Sequence, residues 1–114
     1  MNFKIEKDLK IVNELMAYCY HFKTKDINVN VKTIENKSVI ELKAIIFDFP
    51  QIAFEKLLSS LTIPRQREVE QYYWQIGGES EFDSELTLVG MMTDKADVNY
   101  NNDILSINLE RETL

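Results

Sequence analysis

The sequence predicts an α+β fold: a two-layer α/β sandwich, with one mixed or antiparallel sheet of about four strands in two hairpins and helices on one face. Three observations carry this. Apolar residues recur at spacings of three and four over residues 4–23. "INVNVK" (27–32) alternates strictly between apolar and polar. "ILSINLERE" (104–112) alternates in the same way behind an Asn-Asn pair. A period near 3.6 argues for an amphipathic helix, and a period of two argues for a half-buried strand.

In residues 4–23, Ile5, Leu9, Val12, Met16 and Cys19 form one stripe, and Ile11, Leu15, Tyr18 and Phe22 form an adjoining one. Lys10, Glu14, Ala17 and His21 are expected on the opposite side. Ile27, Val29 and Val31 are expected to face inward from the first strand. "ENKS" (35–38) is a turn by composition, and a second strand is expected from Val39 to about Phe47. Pro50 ends that strand and suits the first position of a helix. That helix covers 51–61, with Ile52, Phe54, Leu57, Leu58 and Leu61 apolar.

Pro64 interrupts the pattern before another helix over 65–76, whose apolar side is Val69, Tyr72, Tyr73 and Ile76. Gly77-Gly78 is its stop signal. "ESEFDSE" (79–85) reads as an acidic connection, with Ser84 as the N-cap of a short helix to about residue 93. "ADVNY" (96–100), "NND" (101–103) and "ILSINLERE" complete a second hairpin.

Composition narrows the function classes. The 114 residues fit a single domain, 1–114, able to bury roughly 65% of its unfolded surface without a metal or disulfide staple. A net charge of −6 with no basic cluster argues against a nucleic-acid partner, because phosphate binding draws on grouped Lys and Arg. An anionic membrane surface is disfavoured for the same reason. One cysteine, an N-terminus without an apolar signal-peptide core, and clean apolar runs such as "AIIF" (44–47) far too short to span a bilayer lead to the expectation of a soluble cytoplasmic protein.

"NELMAYCYHF" (13–22) concentrates the chain's one histidine and one cysteine. His21 and Cys19 lie on different sides of a helix. A structural zinc would need about four ligands, so no metal site is expected. A Cys–His nucleophile pair fails on the same geometry. Phosphate-cradling glycine loops, a calcium loop and a nucleophile elbow are absent from the sequence. Glu79, Glu81, Asp83 and Glu85 read as a solvated connector, and a weak cation or basic-partner site is the other reading. Phe47, Phe49, Phe54, Tyr72 and Tyr73 read as core by their spacing, while Trp74 beside the Gly-Gly break is a candidate partner anchor.

The element order and three stretches resemble the ATP-binding domain of sensor histidine kinases and anti-sigma-factor kinases, the Bergerat-type (GHKL) fold. "VNELMAYCYHF" with "INVNVK" is similar to the family's first helix and following strand, "VIELKAIIFDF" to the strand before its first glycine box, and "SELTLVGMMTDKADVNYNNDILSINLER" to its late helix and closing hairpin. The resemblance implies a glutamate and, one turn later, a magnesium-holding asparagine on the first helix. It implies an adenine-reading aspartate in a D-x-G-x-G turn and a second glycine box at the phosphates.

Glu14 matches the glutamate and Asp48 falls near the aspartate, so these two are the vestigial nucleotide-binding residues the resemblance implies. Tyr18 stands at the asparagine position, and Pro50 and Ile52 replace the glycines. "ESEFDSE" replaces the second box. Glycine serves there because a backbone without Cβ can approach phosphate. Like charges about 4 Å apart at a dielectric near 20 cost roughly 4 kcal/mol. That is half of the roughly 8 kcal/mol of a micromolar site.

The expectation is therefore a non-catalytic regulatory or protein-interaction module without bound ATP or magnesium, with a protein partner or a second copy of the chain. The alternative is a nucleotide or small-molecule binder that uses Glu14 and Asp48 in an altered pocket.

Overall fold

The computed structural model describes residues 3–73 and 82–113. Its elements are α1 (Lys4–His21), β1 (Ile27–Ile34), β2 (Lys37–Ile45), α2 (Gln51–Leu61), α3 (Arg67–Tyr73), α4 (Phe82–Met91), β3 (Lys95–Asn101) and β4 (Ile104–Glu112). The four strands form one antiparallel sheet in the order β1-β2-β4-β3. The expected α+β architecture of two hairpins with helices on one face is the observed one.

Turn chemistry makes the hairpins. Asn102 and Asp103 both hold left-handed backbone, at φ 52° and 64°, as a two-residue hairpin turn of matched twist requires. Glu35, at φ 54°, turns β1 into β2. That turn is shorter than expected, because Lys37 and Ser38 already belong to β2. The two hairpins join along β2 and β4, from Lys37 opposite Glu112 to Ile45 opposite Ile104.

Alternation then sorts the faces. Ser38, Ile40, Leu42 and Ala44 of β2 are buried, as are Leu105, Ile107, Leu109 and Arg111 of β4. Ala96, Val98 and Tyr100 of β3 and Ile27 and Val29 of β1 pack against the same core. Val31 departs from expectation: it shares their face yet is 46% exposed. Alternation encodes which face a side chain takes, but not how far the helix layer reaches along the strand.

The helices show the same limit. Asp8, Ile11, Glu14, Leu15, Tyr18 and Cys19 are the buried side of α1. Ile5 and Leu9, expected in the core stripe, are 66% and 61% exposed. Glu14, expected on the opposite side, is buried. On α2, Leu57 and Leu61 are buried while Ile52 and Leu58 are exposed. Pro50 is the N-cap rather than the first helical residue, with φ −66° and ψ 142°. On α3 the buried residue is Glu70, and Tyr72 is exposed. Helix α4 starts at Phe82, so Ser84, Asp83 and Glu85 lie inside its first turn and Ser84 is not its cap. Trp74, Ile76, Gly77-Gly78, Glu79 and Glu81 lie outside the described residues.

Helix α4 packs on both α1 and α2; α1 lies over β1 and β2, and α2 lies against β3. The α2–α4 contact depends on Gly90. A Cβ there would run into the backbone carbonyl oxygen of Ser60 and meet Ile63 Cγ1 at 3.0 Å. A backbone oxygen cannot swing aside as a flexible side chain can. Gly90→Ala is therefore expected to destabilise the fold by about 1–3 kcal/mol, despite alanine's better helix propensity. Urea unfolding of the variant against the native chain measures this.

Candidate functional site

The positions singled out by the resemblance flank a cluster of aromatic rings. Tyr18 and Phe22 stand one turn apart on α1, with ring centroids 5.0 Å apart. Phe49, from the β2–α2 connection, meets Tyr18 edge-on at 6.4 Å and Phe22 at 4.9 Å. Tyr100 of β3 adds a fourth ring, 5.3 Å from Phe49. Edge-on and tilted pairs at these separations are favourable, because each ring offers a positive rim to a negative face.

Hydrogen bonds fix the cluster to the sheet. The Tyr100 hydroxyl donates to the Ile46 carbonyl at 2.6 Å and accepts from the Phe49 N–H at 3.4 Å. The Ile46 N–H donates to the Asp103 carbonyl at 2.8 Å, so the β3–β4 turn holds the 46–49 segment. Asp48 lies in that segment at φ 57°, exposed, and Phe49 after it turns inward.

Glu14 lies on α1, one turn before Tyr18. It is 3% exposed and accepts a hydrogen bond from Lys10 Nζ at 2.7 Å. The two carboxylates are thus in different surroundings, one buried and charge-paired, the other at a solvent-facing turn. The Tyr18–Phe49 ring pair connects their two segments. Beside the rings is a cleft of about 240 Å³, lined in part by Tyr18, His21, Phe22, Lys56 and Leu86.

His21 stacks edge-on against Phe22 at 5.1 Å, while Cys19 is fully buried. Burial pushes the Cys19 thiol up to about 12, which keeps it protonated and a poor nucleophile. Among the described residues, no group of three or more His, Cys, Asp or Glu side chains could hold a metal ion.

At the opposite end of the core is a constellation absent from the sequence-based expectations. Arg111 follows Leu105, Ile107 and Leu109 at the next inward position of β4 and is buried. Its Nη1 donates to the Met92 carbonyl at 2.9 Å and stands 3.4 Å from Glu70 Oε2. Its Nε lies 3.3 Å from Asp8 Oδ1, a charge contact without hydrogen-bond alignment. Asp8 Oδ2 accepts from Ser38 Oγ at 2.7 Å and from Lys4 Nζ at 3.1 Å.

Glu70 also takes a two-pronged contact from Arg65, at 3.1 and 3.2 Å, and a hydrogen bond from Lys7 Nζ at 3.0 Å. Arg65 Nη1 continues to Asp94 Oδ2 at 2.7 Å and to the Glu112 carbonyl at 2.8 Å. The available sequence signals were Arg111 at an inward strand position and Asp8 in register with Ile11 and Leu15 on the helix.

No protein-family model matches the chain, and no curated protein matches it.

Removing one partner of a buried charge cluster leaves the others desolvated and unpaired. Arg111→Met is expected to cost about 3–5 kcal/mol in chemical denaturation. Lys37→Ala, which breaks a half-exposed pair with Glu110 at 3.3 Å, is expected to cost no more than about 1 kcal/mol. Equal costs would contradict the role assigned to Arg111.

Proposed function

We propose that this chain is a non-catalytic regulatory or protein-interaction module built on a degenerate histidine-kinase-like ATPase fold, acting in the cytoplasm. One observation carries the reading. The segments that bear Glu14 and Asp48 are joined by the chain's own aromatic rings, Tyr18 against Phe49 and Phe22. In the fold it resembles, a nucleotide would lie between those segments. Among the described residues, an adenine placed at this ring set, which is tied to the Ile46 carbonyl, would have to displace core side chains.

The residues support the same conclusion individually. Glu14 is neutralised by Lys10 and buried, so it is poorly placed to activate water. After Asp48, Pro50 and Ile52 carry side chains at the two positions where the family's turn has glycine.

One feature favours the alternative reading of a small-molecule binder. The cleft beside Tyr18 has His21 and Lys56 among apolar walls. Its volume of about 240 Å³ is below the ~300–1,000 Å³ usual for ligand pockets, so it suits only a small ligand.

Calorimetric titration with ATP and ADP, with and without magnesium, tests the proposal. No heat is expected at millimolar nucleotide. Glu14→Ala is expected to lower stability by about 1–3 kcal/mol, through the unpaired Lys10, without changing that result. Magnesium-dependent binding that Glu14→Ala or Asp48→Ala abolishes would overturn it.

A further inference from the structure

We propose that the free edge of β1, with the adjoining flank of α1, is a docking surface for a second copy of this chain. The two copies pair β1 with β1 about a two-fold axis and extend the sheet to eight strands. This goes beyond the function proposed above and does not depend on it, since a dimer that also bound nucleotide would leave it intact.

Among the described residues, the edge is open and regular. β1 is an outer strand of the sheet, and its register with β2 runs without a bulge from Ile27 opposite Ala44 to Ile34 opposite Lys37. It contains no proline and a single charge, Lys32, so it carries few of the devices that blunt edge strands. The Ile45 N–H donates to the Asp26 carbonyl, which points residue 26 toward β2. By alternation, the N–H and C=O groups of Ile27, Val29, Val31 and Thr33 point off the free edge.

The flank of α1 is apolar on the same side. Lys7 reaches Glu70 of α3, and α1 packs on α4, so that flank faces the helix layer. The flank turned away carries Ile5, Leu9, Val12 and Met16. The first two are 66% and 61% exposed, and Val31 of β1 is 46% exposed. Because α1 lies over β1 and β2, pairing β1 with its copy sets the two α1 axes about two strand spacings apart, ~10 Å. Helices pack at about 8–10 Å, so the two apolar flanks would meet.

Charge selects the register and the partner. Each copy carries a net charge of −6, so association is favoured where carboxylates are sparse, and β1 has none. With Asn30 opposite Asn30 of the second copy, Val29 pairs with Val31 and Ile27 with Thr33, all through outward-pointing backbone groups. Lys32 then faces Asn28, and Lys25 of each copy comes level with Glu35 of the other. No like charges oppose one another along this seam.

Sedimentation and disulfide cross-linking test this. The native chain is expected to sediment as a dimer, at twice the 13.4 kDa of one chain. Val31→Pro removes an edge N–H that the monomer does not use. Leu9→Lys charges the α1 flank. Each is expected to weaken the dimer by roughly tenfold or more while circular dichroism stays native.

Asn30→Cys places a thiol on the axis at a non-hydrogen-bonded pair, where Cα atoms lie about 4.5 Å apart and within disulfide reach. It is expected to cross-link under mild oxidation, with the buried Cys19 not competing. A native chain that stays monomeric at high micromolar concentration would overturn the proposal. So would a dimer that neither variant weakens and that Asn30→Cys fails to trap.

Discussion

Arg111 is the residue on which the arrangement of the layers depends. It projects from β4 into the interior, where a lone guanidinium would be strongly unfavourable, and it is tolerated because every element around it contributes a partner. Asp8 comes from α1, Glu70 from α3 and the Met92 carbonyl from the end of α4. Arg65 then ties Glu70 to Asp94 and the backbone of Glu112. Well-packed apolar side chains could match such a cluster in stability. The short helix α3 joins the cluster through Glu70, which is charged and buried.

The other end of the core is closed by different physics. Tyr18, Phe22, Phe49 and Tyr100 contribute large rings with directional contacts and one half-buried hydroxyl with a defined acceptor. Between the ends, Ile40, Leu42, Ile107, Leu109, Leu15 and Leu57 form an uninterrupted apolar middle. Under the function proposed above, the rings matter more than any single residue change, because a nucleotide site would need space as well as ligands. Among the described residues, no helix is long and apolar enough to cross a membrane.

The hairpins, the helices and their order were legible in the sequence, because periods of two and 3.6 survive in any surroundings. The extent of burial was not. Val31 and Leu9 fit their stripes yet stay exposed, since a stripe records direction and not what lies above it. Glu14 reads as a solvent-facing charge until Lys10 and its buried setting are seen. Arg111 and Asp8 belong to segments at opposite ends of the sequence, and a buried charge is intelligible only with both in place. The ring cluster was half legible. Tyr18 and Phe22 fall in one apolar stripe of the first helix, but Tyr100 as the anchor depends on β3 lying beside the 46–49 segment.

Aromatic side-chain NMR during titration with magnesium-ATP tests most directly the proposal that the chain's own rings stand where a nucleotide would bind in the fold it resembles. The resonances of Tyr18, Phe22, Phe49 and Tyr100 should stay where they are to millimolar nucleotide, with their mutual contacts intact. Saturable shifts at these rings, together with the amides of Glu14 and Asp48, would show that the cluster opens to admit a ligand and would contradict the account.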